Sequence, residues 1–345
     1  MNTLKDRFFP ESKPSGGFRV VNDFRVVNFS KVDNSNVLDL FRYQARDNPI
    51  YAEYLGLIGC CPDAIDSIDG VPFLPVEFFK THRVVTGAGT EALTFKSSGT
   101  TGGRASFHYI LDEQVYIDSF TRCFRLFYGD PSSCCLLALL PSYLERQDSS
   151  LVYMADHLIR LTGHPLSGFY LDNLNELAEN LRRLEQSGQK TILLGVSFAL
   201  LDFAGQYPMH LTHTAIIETG GMKGRREEIT RDELHGILQK AFNVSTVGSE
   251  YGMTELLSQA WSTGSGLFRT PPWMHIVIRD PYDPFRKVAA GKTGGINVID
   301  LANYRSCSFI QTQDLGRLHD DGSFEVLGRM DNSDVRGCNL LTIFD

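Results

Sequence analysis

The chain has 345 residues, 42% of them hydrophobic and 21% charged, with a formal net charge of −8. That length holds one large domain or two modest ones, and the composition supports a substantial core and excludes global disorder. The negative balance argues against duplex nucleic acid as the main partner, and no apolar run is long enough to cross a bilayer, Cys134 to Pro141 included.

The opening residues Met1 to Arg7 carry no apolar segment of the kind a secretory leader needs. The first thirty residues mix Pro10, Pro14 and Gly16-Gly17 and read as surface-wrapping chain. Residues from Asn36 to Ile58 bring Val37, Leu38, Phe41, Tyr51, Tyr54 and Leu55 at helical spacing, broken at Pro49. Phe73 to Lys80 is an aromatic segment expected to pack against the core. Leu93-Thr94-Phe95 reads as a strand leading into Ser97-Ser98-Gly99-Thr100-Thr101-Gly102-Gly103. Asp112 to Tyr128 reads as a helix with Val115, Phe120, Phe124 and Phe127 near one face. Cys134 to Leu140 reads as a buried strand, with a helix following near Ser149 to Leu161.

The pattern then becomes regular. Leu171, Leu174, Leu177, Leu181 and Leu184 recur at helical spacing before a C-capping Gly188. Thr191 to Leu194 predicts a strand, Ser197 to Ala204 a helix, and Thr214 to Ile217 a strand ending at Glu218-Thr219-Gly220-Gly221. Thr230 and Glu233 form a capping box for a helix to Phe242, and Asn243 to Val247 reads as the next strand. Strands alternating with helices imply a parallel sheet covered on its faces. The last third changes character. Trp273 to Arg279, Gly295 to Asp300, Leu315 to His319 and Ser323 to Gly328 read as strands, with a hairpin turn at Asp320-Asp321-Gly322.

The seven cysteines, at 60, 61, 123, 134, 135, 307 and 338, form no C-x-x-C pair, and the nine histidines form no H-E-x-x-H. Neither a disulfide framework nor a zinc site has support, and the chain reads as cytoplasmic with free thiols. Cys60-Cys61 and Cys134-Cys135 read as core residues.

The glycine loop is the first candidate site. Glycines let a backbone approach a polyphosphate and aim N–H groups at it, and hydroxyls add donors without bulk. No Gly-Lys-Ser/Thr follows, so it is not a Walker loop, and the G-x-G-x-x-G spacing is absent. Alone, a solvated turn explains it equally well. Three further motifs stand downstream: Ser249-Glu250-Tyr251-Gly252-Met253-Thr254-Glu255, Thr312-Gln313-Asp314-Leu315-Gly316-Arg317, and Gly328-Arg329-Met330-Asp331-Asn332-Ser333-Asp334-Val335-Arg336-Gly337.

With the glycine loop, these motifs resemble in order the S-S/G-G-T-T-G, Y-G-x-T-E, T-x-D-x-G-R and G-R-x-D…R-G motifs of the adenylate-forming superfamily of acyl/aryl-CoA ligases and peptide-synthetase adenylation domains. The resemblance covers nearly the whole chain. Within the superfamily it is nearest to the acyl-protein synthetases of bacterial bioluminescence fatty-acid reductase complexes. It implies an α/β fold: the large N-terminal domain of such an enzyme, with mixed and parallel sheets flanked by helices, over residues 1–330. A β-rich part would run from about 264 to 330, with a short tail over 331–345.

The resemblance also implies ATP and Mg2+ as cofactors and a fatty or aryl carboxylic acid as substrate. Ser97, Ser98, Gly99, Thr100, Thr101 and Gly102 would hold the β/γ-phosphates. Gly220 and Gly221 would let adenine approach, and Tyr251 would stack on it. Thr254 would bond the α-phosphate and Glu255 would bind Mg2+. Asp314 would accept from the ribose hydroxyls, and Arg329 would reach the ribose or phosphates. The acceptor would be a thiol: the chain's own Cys338, beside Arg336, or CoA or a carrier protein in trans, with an acyl reductase as partner. A catalytically weak nucleotide-binding subunit is the reading from another class.

Two departures stand out. The phosphate loop continues Gly103-Arg104-Ala105-Ser106 where the family has Pro-Lys-Gly. Family members also carry a lysine-bearing lid after the hinge aspartate, here Asp331, whereas only fourteen residues follow it and none is lysine. Plainer readings stand beside each residue. Tyr251 and Glu255 read as a core tyrosine and a surface glutamate, Asp314 as a turn residue before a hairpin, Arg329 as a surface salt bridge, and Cys338 as an inert small apolar residue. Gly195-Val196-Ser197-Phe198-Ala199 nearly matches a nucleophile elbow, with alanine in place of the final glycine.

Overall fold

The computed structural model describes residues 5, 19–21, 24–26, 34–97, 104–141, 146–220 and 229–330. The described residues form two compact units. A central unit comprises 89–271 with the short strands near the start, and a split unit comprises 34–88 with 272–330.

In chain order, β1 (Arg19–Val21) and β2 (Phe24–Val26) pair antiparallel and group with the central unit. The split unit begins with α1 (Asn34–Asp47) and α2 (Pro49–Leu57). Pro49 occupies the first turn of α2, where its missing N–H costs nothing, and Asn48 caps the helix by accepting from Tyr51 N at 3.1 Å. The break read at Pro49 is therefore a joint between two helices. The aromatic segment gives β3 (Leu74–Pro75) and the single turn α3 (Phe78–Thr81), with Phe73, Leu74, Val76 and Phe79 buried.

The central unit follows. Strands β4 (Leu93–Lys96) and β5 (Phe107–Ile110) form an antiparallel pair, Leu93 opposite Ile110 and Lys96 opposite Phe107. Helix α4 (Glu113–Tyr128) is capped by Asp112, which accepts from Gln114 N at 3.1 Å, and ends at Gly129 with φ of 87°. Val115, Phe120, Phe124 and Phe127 are all buried. Then come β6 (Cys135–Leu139), α5 (Ser150–Thr162), β7 (Gly168–Phe169), α6 (Leu174–Ser187), β8 (Thr191–Val196), α7 (Ser197–Gln206), β9 (Thr214–Thr219), α8 (Arg231–Phe242), β10 (Gly248–Tyr251) and β11 (Ala260–Ser262).

These strands build one sheet in the order β11-β10-β9-β8-β6-β7, parallel from β10 to β7 with β11 as an antiparallel edge. The strands β6 and β8 are buried along their whole length because helices cover both faces. Helix α6 contributes Leu177, Leu181 and Leu184, all buried, and each cut to alanine should cost about 2–5 kcal/mol. Gly188 closes it in the left-handed region at φ of 68°.

The sequence reading misplaced one strand. Residues 243–247 precede β10 rather than forming a strand, because Asn243 is the left-handed C-cap of α8 at φ of 51°. Cys60 and Cys61 also differ from expectation. Cys61 is exposed and Cys60 half-buried where the chain leaves α2, whereas Cys134 and Cys135 are buried.

The chain re-enters the split unit with β12 (Met274–Arg279), β13 (Thr293–Asp300), β14 (Phe309–Leu318) and β15 (Phe324–Arg329), an antiparallel sheet to which β3 adds in parallel beside β14. The strand expected at Leu315 to His319 thus begins six residues earlier, at Phe309, and carries the third motif in its middle. Phe309 is the centre of an aromatic group with Phe41 at 5.8 Å, Tyr51 at 6.1 Å and Phe73 at 6.3 Å. Gln44 on α1 and Asn48 at the joint four residues later, both fully buried, hydrogen-bond the backbone of residues 303–308. Burying two amides is stable only because their polar atoms are matched.

Candidate functional site

In the central unit Gly220, Tyr251, Thr254 and Glu255 stand at or just beyond the C-terminal ends of β9 and β10. Read as β7-β6-β8-β9-β10, the strand order reverses direction between β6 and β8, and in open α/β sheets ligands bind outside the carboxyl ends of the strands. Gly220 follows β9 directly in the left-handed region, at φ of 63°. Tyr251 is the last residue of β10. Glu250 pairs with Thr219 in parallel register, so Gly220 and Tyr251 are each the residue after that last pair. Ser249 to Tyr251 lie inside the strand, so the second motif begins within it. The Tyr251 ring is buried and meets Phe268 edge-on at 6.0 Å. At Gly252 a Cβ would meet the Glu250 carboxylate, which would have to shift.

The β4–β5 hairpin carries the glycine loop between its strands. Its base is closed by two hydrogen bonds: Ser97 N donates to Ser106 O at 3.0 Å, and Ser106 N donates to Ser97 Oγ at 2.9 Å. Ser98, Gly99, Thr100, Thr101, Gly102, Gly221 and Cys338 lie outside the described residues. Arg104 is exposed on the returning side of the loop. Two residues beyond the base, fully buried His108 donates from Nδ1 to the Thr254 carbonyl at 2.8 Å. One contact therefore joins the hairpin to the Thr254–Glu255 turn, with Glu255 itself buried.

A buried carboxylate lies at the same strand ends. Glu218 accepts from Ser197 Oγ at 3.2 Å and from Arg231 Nε at 3.4 Å, with His235 Nε2 at 3.9 Å. Burial works against its ionisation, but hydrogen bonds from His235 and Ser249 and the Arg231 charge override this and lower its pKa. Ser197 is thus bonded to a carboxylate rather than to an imidazole, and it is buried. That arrangement lacks the serine–imidazole bond by which a nucleophile elbow is activated. Gly195 is set by packing, since a Cβ would come within 2.8 Å of Leu200 and 2.9 Å of Leu139.

The split unit holds Asp314 and Arg329. They face each other across β14 and β15, with Arg329 Nε 3.8 Å from Asp314 Oδ1. Asp314 lies in mid-strand rather than in a turn, its amide donating to Thr312 Oγ1 at 3.1 Å. Arg329 is 64% exposed, so its pairing with Asp314 leaves the guanidinium open to solvent. Gly316 is also fixed by packing, because a Cβ there would sit 2.5 Å from Glu325 O and 2.6 Å from Ile296.

Beneath this pair sits a residue the sequence reading passed over. Buried Arg279 donates from Nη1 to Ile296 O and Asn297 Oδ1, each at 2.9 Å, and from Nη2 to Thr312 O at 2.7 Å. Its Nη2 also reaches Met330 Sδ at 3.4 Å, so it ties the third motif to the fourth. The signal was Gly294-Gly295 inside a strand pattern, since strand glycines mark close approach. A Cβ at Gly295 would come within 2.6 Å of the Arg279 guanidinium. His108 and Glu218 carried no such signal.

Among the described residues no group of three or more His, Cys, Asp or Glu is arranged to hold a metal, and no helix is long and apolar enough to cross a membrane.

The fold is that of the N-terminal domain of adenylate-forming enzymes. ATP-bound MatB from Rhodopseudomonas palustris aligns at TM-score 0.54 and 17% identity, over 70% of this chain and 49% of MatB. 2-Hydroxyisobutyryl-CoA ligase, in an open conformation with 2-HIB-AMP and CoA, aligns at TM-score 0.61 and 12% identity, over 87% of this chain and 70% of the ligase. The same ligase in its postadenylation state with 2-HIB-AMP aligns at TM-score 0.58 and 14% identity, over 86% of this chain and 68% of the ligase. The chain spans about half the length of MatB. No protein-family model matches the chain, and no curated sequence does.

Proposed function

We propose that the chain activates a carboxylic acid with ATP to an acyl-adenylate and passes the acyl group to a thiol. The observation that carries this reading is the meeting, in the central unit, of the hairpin bearing the glycine loop with the Thr254–Glu255 turn, through His108. Solved structures of this fold hold ATP in MatB and 2-HIB-AMP in 2-hydroxyisobutyryl-CoA ligase.

A substrate carboxylate oxygen attacks the α-phosphorus of ATP, a P–O bond forms, and the bond to pyrophosphate breaks. Charge builds on phosphate oxygens, so the protein's task is positioning and electrostatic stabilisation. Ser97, Ser98, Thr100 and Thr101, with the backbone of Gly99 and Gly102, would hold the β/γ-phosphates. Thr254 would bond the α-phosphate, Tyr251 with Gly220 and Gly221 would receive adenine, and Asp314 and Arg329 would take the ribose side. Mg2+ is commonly held by one or two carboxylates plus substrate phosphates, and buried Glu255 would supply such a carboxylate. When bound, Mg2+ would neutralise charge on the phosphates.

The nearest family reading is an acyl-protein synthetase acting in the cytoplasm, where free thiols persist. It would take a fatty acid, load Cys338 and deliver the acyl group to a reductase. A second reading, CoA as acceptor in trans, is favoured by the CoA-bound state of 2-hydroxyisobutyryl-CoA ligase.

The test is carboxylate-dependent ATP–pyrophosphate exchange across a panel of acids. Exchange with at least one acid is the expected result. ATP binding without exchange for any acid would leave a nucleotide-binding subunit instead. Product analysis with and without CoA then separates the acceptors: hydroxylamine-sensitive label that disappears in Cys338→Ser assigns the chain's own thiol.

A further inference from the structure

The β4–β5 hairpin is a two-stranded sheet of its own, outside the six-stranded ladder of the central unit. The stem is buried on one side, where Phe95 meets Tyr116 at 5.3 Å and Tyr153 at 5.6 Å. Lys96 N adds a backbone bond to Asp148 O at 2.7 Å.

On the returning strand, His108 stands opposite Phe95 and two residues from the Ser97–Ser106 base of the loop. The Thr254 carbonyl can only accept, so Nδ1 of His108 carries the proton in their 2.8 Å bond. The partners are 146 residues apart in the chain. Thr254 belongs to the connection from β10 to β11, a turn in which Leu256 N donates to Met253 O at 3.1 Å. Glu255 is the next residue. A displacement of the hairpin is therefore transmitted to the backbone that sets Thr254 and Glu255.

We propose that His108 is a positioning residue that locks the hairpin bearing the glycine loop to the Thr254–Glu255 turn, so that the two segments keep one fixed geometry. Its catalytic consequence rests on the adenylation reading above; the mechanical lock does not. Misplacing reacting groups by about 1 Å can cost on the order of 10²-fold in rate. Because the bond sets the relative placement of the two segments, the loss should fall on the chemical step rather than on binding of the acid.

The experiment compares His108→Asn, His108→Gln and His108→Phe in the full chain. An asparagine amide can occupy the position of Nδ1 and donate to the Thr254 carbonyl, whereas a glutamine amide reaches toward the position of Nε2. In pyrophosphate exchange, His108→Phe and His108→Gln should lose about 30–100-fold in kcat with the acid KM within about twofold of wild type, and His108→Asn should recover to within about fivefold. Should the phenylalanine variant fail to fold, the Asn/Gln pair carries the same comparison. Equal losses in the Asn and Gln variants, or a loss confined to the acid KM, overturn the proposal.

A second readout separates this from the adenylation reading. Amide exchange in the ligand-free chain should lose protection in 104–110 and 250–256 together in His108→Gln, and regain both in His108→Asn. Independent responses of the two segments overturn the lock even in an active enzyme. Coupled responses sustain it even if the wild type activates none of the acids tried.

Discussion

The central unit and the split unit bury charge in opposite ways. In the central unit Glu218 lies at the end of β9 and meets countercharge and hydroxyls: Arg231 and His235 from α8, and Ser197 from the start of α7. Arg231 also lies over the Phe268 ring, 5.0 Å from its centroid. In the split unit Arg279 is held largely by backbone carbonyls of its own sheet, and His275 on the same strand is kept neutral by burial. A parallel sheet ends where loops and helix N-termini converge, so side chains from distant positions can meet there. An antiparallel sheet has bulges, here between Gly295 and Asn297 and between Leu315 and Gly316, that turn carbonyls toward a buried donor. The first arrangement leaves a polar cluster beside loops that would face a ligand. The second ties the strand that carries Asp314 to the residue that follows Arg329.

The largest expected effect tests that tie. Arg279→Met removes a buried donor from Asn297 Oδ1 and Thr312 O and leaves Ile296 O with the Thr312 hydroxyl, and should cost about 3–5 kcal/mol in urea unfolding. Gly295→Ala should be costly in the wild type because its Cβ meets the guanidinium. In the Arg279→Met background that penalty should shrink by about 1 kcal/mol or more. Additive losses would show that the guanidinium does not occupy this place.

Much of the central unit was readable because its signals are local. The leucines of α6, the Thr230–Glu233 box and the run from Cys134 each depend on neighbours within a few residues. The motifs placed Gly220, Tyr251, Thr254, Glu255, Asp314 and Arg329, and the strand ends gather those of the central unit. What could not be read was which residue fixes which. His108 meets a carbonyl 146 residues away, and Glu218 gathers partners from two helices. Such pairings are set by topology, and no periodicity encodes them. The strand misplaced at Asn243 to Val247 fails for a related reason: an asparagine that accepts the left-handed conformation ended the helix there, and this displaced the strand toward Gly248.

Acid titration separates the two units. His275 has its pKa lowered by burial to about 4, and its Nε2 has no hydrogen-bond partner among the described residues. The folded state binds this proton less readily than the unfolded chain does. Its contribution is therefore complete above the unfolded pKa of about 6.5 and is lost as pH falls toward 4. The loss should amount to roughly 2–3 kcal/mol. His275→Leu should flatten the stability profile in that window; an unchanged slope would place the origin elsewhere.

Glu218 also has a lowered pKa, so its contribution is present above the ordinary carboxylate range and disappears only as pH falls below that range. Glu218→Gln should cost about 2 kcal/mol at neutral pH, through the loss of the charge facing Arg231, and should remove part of the acid limb. The two variants thus act in different pH windows. If both flattened the same window, the contrast between a paired carboxylate and a neutralised histidine would fail.

The smallest effect asks whether the central cluster depends on the helix that supplies it. Thr230 accepts from Glu233 N at 3.2 Å while Glu233 Oε2 accepts from Thr230 N at 2.8 Å, and Arg231 is the first residue of the helix so capped. Thr230→Ala should cost about 1 kcal/mol. Fraying the first turn would also loosen the hold of Arg231 on Glu218, whereas His235, one turn further in, should keep its place. The expected signature is a small stability loss with the acid limb displaced slightly upward in pH, because a less well paired Glu218 takes up its proton earlier. A stability loss with an unmoved acid limb would show instead that the sheet and the Phe268 ring, rather than the helix start, hold Arg231 over the carboxylate.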